Sequence, residues 1–453
     1  MRKINSRVGL CIGLLTVHAL SSCTSIKQGI GTKKLKKPMQ TMLGAALFSN
    51  GMATPVPTNA PSVSNTTGLN HTTSMATTLN PYELSTIGVF NATEAHPYGC
   101  KNASIGIDML NAKRGPYGMT PLMDAVADGC LEDLKSLIQK KADLDAKDNY
   151  GRTALMYAVK DNRIDAVKLL LEKSGSLPTI GLFSNNVIDQ QDKEGRTALI
   201  HAVVNDKKDM VETLLNYNPN LEIKDDEGHT ALKYAAIFGH VDILQLLIDK
   251  KANLETRDKE QRTPLISSVI QVQKIEPKRI RDTITLLIKS GAVLDAQSDQ
   301  GVTPLMHAVK NNILDIATLL IDSKASLDVQ DGQGKTALVY AANTGINAVK
   351  LLIERKADMD IKDNEGKTLL MRAVIQSKAD VVKELISSKA KLDVQDKEGK
   401  TALMHAVIHN NIESAKELID KQANKNMRDR SDKAALDYAI ASNNYEIIKL
   451  LAK

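Results

Sequence analysis

A short phrase recurs along most of this chain at a nearly constant interval. Its clearest copy, Gly399 to Val407, reads Gly-Lys-Thr-Ala-Leu-Met-His-Ala-Val. Successive copies are 33, 44, 33, 33, 40, 33, 32, 33 and 33 residues apart. This period predicts a stack of small repeating units, in which each unit contacts only its neighbours. The glycine of the phrase, or its replacement, stands at Gly118, Gly151, Gly195, Gly228, Gln261, Gly301, Gly334, Gly366, Gly399 and Asp432.

Each copy of the phrase encodes a turn followed by two helices. Residues 192–195, Asp-Lys-Glu-Gly, are typical of a turn that places glycine at positive φ. Thr197 is positioned to cap a first helix, and Leu199 and Ala202 lie on one face of it. A second helix, as in 241–248, is apolar around most of its circumference and must pack between neighbours.

The period near 33 and the Thr-Pro-Leu-x-x-Ala opening at residues 120–125 resemble the ankyrin repeat. The resemblance covers residues 111–453. It implies an all-α solenoid of stacked helix-turn-helix units, joined by β-turn or hairpin loops. In place of the family's histidine after Thr-Pro-Leu, this chain often has methionine: Met123, Met156, Met306, Met371 and Met404. In place of the glycine that ends the second helix, it often has lysine: Lys141, Lys251, Lys324, Lys356 and Lys389.

Two long steps and the last copy depart from the regular pattern. The 44-residue step predicts an insertion around 174–186 that lengthens the connection after a second helix. The 40-residue step predicts an insertion around 271–279 in the turn between two helices. Asp432 and Ala434 replace glycine and threonine in the last copy, as in a terminal cap with a more polar outer face.

Residues 1–22 have the features of an export signal. A basic head precedes an apolar run of 13 residues, Val8 to Leu20, which is too short to span a bilayer. Leu20-Ser21-Ser22-Cys23 resembles the lipobox of bacterial lipoproteins, which implies cleavage before Cys23 and acylation of that residue. The residue after Cys23, Thr24, then favours the outer membrane over the inner one. An ordinary signal peptide with a chance cysteine is the alternative.

Residues 23–110 are expected to form a disordered tether, because the stretch 49–80 is rich in Ser, Thr, Asn and Pro and carries no charge. Residues 1–110 contain nine basic and three acidic residues and so account for the whole net charge of +6. Residues 111–453 balance at 50 basic and 50 acidic residues. Without a net cationic field or tryptophan, this array is not expected to bind nucleic acid.

The four cysteines divide into two groups. Cys11 leaves with the signal, and Cys23 is the predicted lipid site. No spacing rule supports a bond between Cys100 and Cys130, so free thiols are the expectation. An exported chain also permits a disulfide between them, which would pin the tether to the first repeat.

Motifs for catalysis or cofactor binding fail on inspection. Gly-Lys-Thr at 334–336, 366–368 and 399–401 lacks the earlier glycine that a phosphate-binding loop requires. His405 and His409 share a helical face but have no third ligand in the pattern. Residues 81–110 are too short for an enzymatic module with its own core. We therefore expect no enzyme activity, no cofactor, no metal and no small-molecule substrate.

What remains is a surface for another protein. In the ankyrin family, partners dock on turn tips and on the concave face of the first helices. The resemblance assigns binding roles to tip residues Arg152, Arg196, Lys335, Lys367 and Lys400, with Asn149, Tyr150, Lys193 and Glu194 beside them. It assigns first-helix roles to Tyr157, His201, Tyr234, His307, Tyr340, His405 and Tyr438. These rings could equally shield the seam between repeats.

These observations predict a non-enzymatic scaffold that binds an unidentified protein. We expect a monomer that is held to the bacterial cell envelope through acyl chains on Cys23. The alternative is a secreted bacterial effector whose array binds a host protein inside a host cell.

Overall fold

The computed structural model describes residue 100 and residues 105–174, 187–271 and 275–452. Within these ranges the chain forms α-helices and short 3-10 turns, with one isolated bridge between Arg114 and Met119. The predicted all-α solenoid is confirmed. The first ten helices are α1 Pro121–Ala127, α2 Leu131–Gln139, α3 Ala154–Lys160, α4 Ile164–Lys173, α5 Ala198–Val204, α6 Lys208–Leu215, α7 Ala231–Phe238, α8 Val241–Asp249, α9 Pro264–Ile270 and α10 Pro277–Lys289.

The second half of the described chain continues the same order. The remaining helices are α11 Pro304–Lys310, α12 Leu314–Asp322, α13 Ala337–Thr344, α14 Ile346–Glu354, α15 Leu369–Ile375, α16 Ala379–Ser387, α17 Ala402–Ile408, α18 Ile412–Asp420, α19 Ala435–Ala441 and α20 Tyr445–Ala452. Each odd-numbered helix packs on the even-numbered helix that follows it and on the odd-numbered helices of neighbouring pairs. The odd-numbered helices therefore form one continuous row.

The first helix of a pair begins where the sequence places a threonine cap. The Thr197 hydroxyl accepts a hydrogen bond from the Ile200 backbone N–H at 3.3 Å, which satisfies one donor of the first turn. Pro121 and Pro304 occupy the first helical turn, as expected. The methionine that replaces the family's histidine keeps a weak version of the capping contact. The Met123 sulfur lies 3.4 Å from the Thr120 backbone N.

The core between helices consists of small and branched apolar side chains. Ala158, Ala202 and Ala406 are fully buried on the first helices, where their small size lets neighbouring helices approach closely. Leu170 and Leu247, from second helices, are also fully buried. Because these side chains are covered by adjacent pairs, the apolar surface of one pair is hidden only in the stack.

Lysines end several second helices in the left-handed conformation, as the sequence predicts. Their φ values lie between 64° and 78° at Lys141, Lys251, Lys324, Lys356 and Lys389. Each departure from glycine costs about 1 kcal/mol. The array tolerates this cost because the lysine side chains are exposed and the following alanine, such as Ala252, is buried in the stack.

The two insertions have different consequences. The first lies after α4 as predicted, since this helix ends at Lys173 and the next element is a 3-10 turn at Val187–Asp189. Residues 175–186 lie outside the described residues. The second was predicted to lengthen only the turn, and this is partly wrong. Helix α10 has 13 residues, against 9 in α8 and α12, so part of the insertion extends the second helix.

The expectation of free thiols is wrong for the second pair of cysteines. Cys100 and Cys130 form a disulfide, with their Cα atoms 5.4 Å apart. Nearby, Leu110 is buried, and the Lys140 ammonium donates to the Ile105 carbonyl at 3.1 Å. The segment before α1 thus packs on the first helix pair and brings the cysteines together, a proximity that spacing in sequence cannot reveal.

The export signal, Cys23 and the predicted tether up to residue 99 lie outside the described residues. Across 105–174, 187–271 and 275–452, no helix combines the length and apolar character that a membrane span needs.

Gly195→Ala and Gly291→Ala form a matched pair, because both glycines have positive φ but only Gly195 is in close contact with the next turn. At Gly195 φ is +76°, and an added Cβ would lie 2.7 Å from the Asp226 backbone N. At Gly291 φ is +92°, and such a Cβ would meet nothing within 4 Å. We expect Gly291→Ala to cost about 1 kcal/mol of unfolding free energy and Gly195→Ala about 2 kcal/mol or more. Equal losses in urea unfolding would contradict the role of glycine in this close contact.

Candidate protein-interaction surface

One aspartate organises most of the turns, eight of the ten. In the turn of α5, the Asp192 carboxylate accepts hydrogen bonds from the backbone N–H groups of Glu194 at 3.0 Å and Arg196 at 2.9 Å. Its second oxygen lies 2.7 Å from the His201 ring nitrogen. The aspartate therefore ties the turn to the first helix. We call the residues at this position the anchor aspartates: Asp148, Asp192, Asp225, Asp258, Asp331, Asp363, Asp396 and Asp429.

The residue nine positions after most anchor aspartates donates to the second carboxylate oxygen. The Tyr157 hydroxyl lies 2.8 Å from a carboxylate oxygen of Asp148, and the Tyr234 hydroxyl lies 2.5 Å from a carboxylate oxygen of Asp225. The polar atoms of these side chains thus bond within their own turn. The same contact joins Tyr340 to Asp331, Arg372 to Asp363, His405 to Asp396 and Tyr438 to Asp429.

Burial and these bonds set the protonation states. Burial, together with the Asp225 charge and hydrogen bond, raises the pKa of Tyr234, so the ring stays a neutral donor. Burial lowers the pKa of His405 despite its bond to Asp396. His307 has Ser298 in place of an anchor aspartate, and burial lowers its pKa to about 4. The nearby charges of Lys310 and Arg262 act in the same direction.

A buried ionic cluster connects α7 to the next turn. The Lys233 side chain is fully buried, and its ammonium lies 2.8 Å from the Asp258 carboxylate. Burial lowers the pKa of Lys233 to about 8 although Asp258 opposes this shift. Burial also disfavours ionisation of Asp258, but bonds from His229 and Lys233 outweigh it and lower that pKa. The cluster is enclosed by the stack, so it holds two turns together rather than presenting a site.

Neighbouring turns are also joined by backbone and side-chain hydrogen bonds. The Asp226 N–H donates to the Glu194 carbonyl at 3.0 Å. The Gln191 amide donates to the Gly195 carbonyl at 2.6 Å and to the Lys224 carbonyl of the next turn at 3.0 Å. This second bridge was missed at the sequence level, where the residue before each anchor aspartate has no single identity. It recurs at Lys147, Lys224, Arg257, Gln297, Gln330, Lys362 and Gln395.

Most basic tip residues pair with a glutamate two positions earlier. Arg196 lies 2.7 Å from Glu194, and Lys367 lies 2.5 Å from Glu365. The glutamate side chains of these pairs are largely exposed, at 61% and 59%. These tips therefore present ion pairs to water, and such exposed pairs contribute little to stability. The same arrangement joins Lys400 to Glu398 and Arg262 to Glu260.

The first two turns differ from the others because they present aromatic rings. The rings of Tyr117 and Tyr150 lie with centroids 6.2 Å apart and are 36% and 51% exposed. The Arg152 guanidinium lies 4.4 Å from the Tyr150 centroid and 5.0 Å from the Tyr157 centroid, and it bonds Asp148 at 2.7 Å. We call Tyr117, Tyr150 and Arg152 the aromatic tip cluster. Tyr117 was missed, although it precedes Gly118 as Tyr150 precedes Gly151, and this shared position could have identified it.

The structure brings together only part of the predicted site. The Arg152 guanidinium lies over the Tyr157 ring, and the Lys400 ammonium lies 5.9 Å from the centroid of the Tyr438 ring in the next repeat. Arg196 and His201 bond the same aspartate, Asp192. Arg152, Tyr157, His201, Tyr234 and His405 are buried, and docking through these side chains stays a prediction. The remaining predicted positions are half-buried: Arg196, His307, Lys335, Tyr340, Lys367, Lys400 and Tyr438.

One group in the described residues has the composition of a metal site. The ligand atoms of Cys100, Cys130 and Asp133 lie within 4.8 Å of one another. The two sulfurs are joined in the disulfide. The His405 ring nitrogen that lies near Asp396 is already engaged there, at 2.7 Å.

Removal of the Tyr234 hydroxyl tests whether this ring shields the seam between repeats or contacts a protein partner. In Tyr234→Phe the ring remains but Asp225 loses a 2.5 Å hydrogen bond, so we expect unfolding free energy to fall by about 1.5–3 kcal/mol. Tyr445→Phe is the control, because that ring is 79% exposed. If the ring only shields, partner capture by folded Tyr234→Phe equals that of wild type. Weaker capture with unchanged stability would instead favour a docking role.

Comparison with known proteins supports the fold. The family model described as ankyrin repeats (3 copies) matches residues 98–181, 174–258, 255–331, 272–363, 324–396 and 370–453. A search of curated protein sequences returned no match. A search of solved structures found the crystal structure of the ankyrin repeat domain of Bcl-3, described as a unique member of the IkappaB protein family. It is 25% identical, covers 50% of this chain and all of the Bcl-3 chain, and has a TM-score of 0.46. The family matches extend over most of the sequence, and the chain therefore belongs to the ankyrin-repeat family.

Proposed function

We propose that this protein is a membrane-tethered scaffold of ten ankyrin repeats that captures another protein without catalysis. Ankyrin repeats are protein-interaction modules, and this coarse function follows from the family. The finer proposal concerns where the partner docks and where the protein resides. It rests on the aromatic tip cluster for the first point and on the N-terminal sequence for the second.

The aromatic tip cluster carries the docking proposal. Tyrosine and arginine dominate the binding energy of many interfaces, because they combine apolar area with a polar group. The whole chain has ten tyrosines, four phenylalanines and no tryptophan. Two adjacent exposed rings are therefore an unusual local concentration of aromatic side chains. Arg152 is only 9% exposed and is bonded to Asp148, and its guanidinium lies 4.4 Å from the Tyr150 centroid. It therefore supports the exposed Tyr150 ring and limits the conformational entropy that this ring loses on binding.

Loss of both exposed rings should weaken partner capture without unfolding the array. We expect Tyr117→Ala with Tyr150→Ala to reduce affinity by about 30-fold, corresponding to roughly 2 kcal/mol. Tyr445→Ala is the matched control, since it removes an exposed ring from the last helix. Captured proteins are quantified after cross-linking in cells, and circular dichroism checks the fold. If the double variant captures the same proteins at wild-type yield, the partner docks elsewhere.

The N-terminal sequence and the disulfide support residence in the cell envelope. The basic head, the apolar run and Cys23 fit a lipoprotein signal, and at least two acyl chains suffice for stable anchoring. The Cys100–Cys130 disulfide fits a chain that matures in an oxidising compartment. The alternative, a secreted effector, shares the export signal but would place the array in a reducing host cytosol.

Replacement of Cys23 tests the anchor. We expect Cys23→Ala to abolish incorporation of labelled fatty acid and to move the protein from the membrane pellet into the soluble fraction. Cys11→Ala is the control, because it changes a cysteine within the predicted signal and leaves residues 20–23 intact. Wild-type protein that carries no acyl label and is recovered from host cytosol would support the effector alternative instead.

A further inference from the structure

We propose that Cys100, Cys130 and Asp133 form a zinc-type metal site when the disulfide is reduced, so that one set of residues holds either a covalent bond or a cation. Two thiolates and one carboxylate are a ligand set that Zn²⁺ accepts, with a water completing the tetrahedron. This inference concerns the junction before α1 and does not depend on where a partner docks.

The three ligand atoms are close enough to share one cation once the two bonded sulfurs have separated. They lie within 4.8 Å of one another. Ligands of a tetrahedral zinc ion are about 3.5–3.8 Å apart, given metal–ligand distances near 2.0–2.3 Å. Reduction of the disulfide lets the two sulfurs separate toward this value, and Asp133 is already within reach. The change required is therefore a local adjustment of side chains.

The protein backbone fixes two of the three ligands. Cys130 is the N-terminal cap of α2, and Asp133 lies one turn later, so both project from the start of the same helix. The Cys130 N–H donates to the Ala125 carbonyl, and its carbonyl accepts from the Leu134 N–H, both at 2.9 Å. Cys130 and Asp133 are 5% and 7% exposed, whereas Cys100 is exposed. Cys100 thus gives reductant and metal a route to the pair.

Electrostatics favours a cation once the bond is broken. Two thiolates beside the Asp133 carboxylate would place three negative charges together. A divalent cation offsets this repulsion, and so does re-formation of the disulfide.

Electrons and protons balance when the disulfide is exchanged for the metal site. A dithiol reductant donates two electrons and two protons, becomes a disulfide itself, and leaves Cys100 and Cys130 as thiols. Metal binding then releases two protons as both thiols become thiolates. In an oxidising compartment the disulfide joins Cys100 to the first helix pair, and in a reducing one the metal does so.

The test uses the full chain with Cys11→Ser and Cys23→Ser, so that only the two cysteines of the site remain. The reduced protein is titrated without oxygen with Co²⁺ and then with Zn²⁺. We expect thiolate-to-cobalt charge-transfer absorption at one cobalt per chain, which Zn²⁺ abolishes. The oxidised protein should give no such absorption. A reduced protein without this absorption would overturn the proposal.

Substitution of two neighbouring carboxylates, Asp133 and Glu132, distinguishes direct coordination of the metal by Asp133 from a general effect of negative charge on metal affinity. Asp133→Asn should weaken Zn²⁺ binding by at least about tenfold, because even loss of a partner behind a ligand has that effect. Glu132→Gln removes the same charge from a side chain that is 84% exposed and paired with Lys135, so affinity should remain at the wild-type value. Re-formation of the disulfide on oxidation confirms that both variants fold. Equal affinities in the two variants would contradict the three-ligand site.

Discussion

The carboxylate of the anchor aspartate, present in eight of the ten repeats, is the contact on which the rest of the array depends. Its first oxygen accepts the backbone N–H groups of its own turn, and its second reaches the first helix nine residues later, as Asp225 does with Tyr234. A carboxylate that accepts several hydrogen bonds fixes the turn without an apolar core of its own. The fixed turn places its backbone within hydrogen-bond distance of the next turn, and this contact aligns the helices of adjacent repeats.

Hydrogen bonds stabilise the turn end of each repeat, and burial of apolar side chains stabilises its helices. At the tips, the bridge from Gln191 to the Lys224 carbonyl and its counterparts satisfy backbone groups that a stack of turns would otherwise leave unpaired. Between the helices, alanines such as Ala202 permit close approach and leucines such as Leu214 fill the space. Lys233 is the exception, since its charge is buried at a position where five other repeats have methionine, and Asp258 neutralises it.

The hydrogen bonds and ion pairs that stabilise the stack also reduce the number of side chains that remain available to bind a partner. Side chains that look available in sequence, such as Tyr234 and His405, are buried and bonded to an anchor aspartate. Half-buried basic tips such as Lys400 are paired with glutamate. The first two turns lack that glutamate pattern and expose Tyr117 and Tyr150 instead. The ends of a regular array are therefore where its chemistry departs from the repeat, and where the disulfide also lies.

The sequence by itself determined the period, the helices, their threonine caps and the lysines at positive φ, because these features depend on residues within one repeat or its immediate neighbour. It also located both insertions, although not the extra length of α10. Only the tertiary structure decided which polar side chains remain available, that Tyr117 meets Tyr150, and that Cys100 bonds Cys130. The last two outcomes join residues 33 and 30 positions apart, and no local pattern encodes such distances. The stack sets them, since it places equivalent positions of adjacent turns side by side.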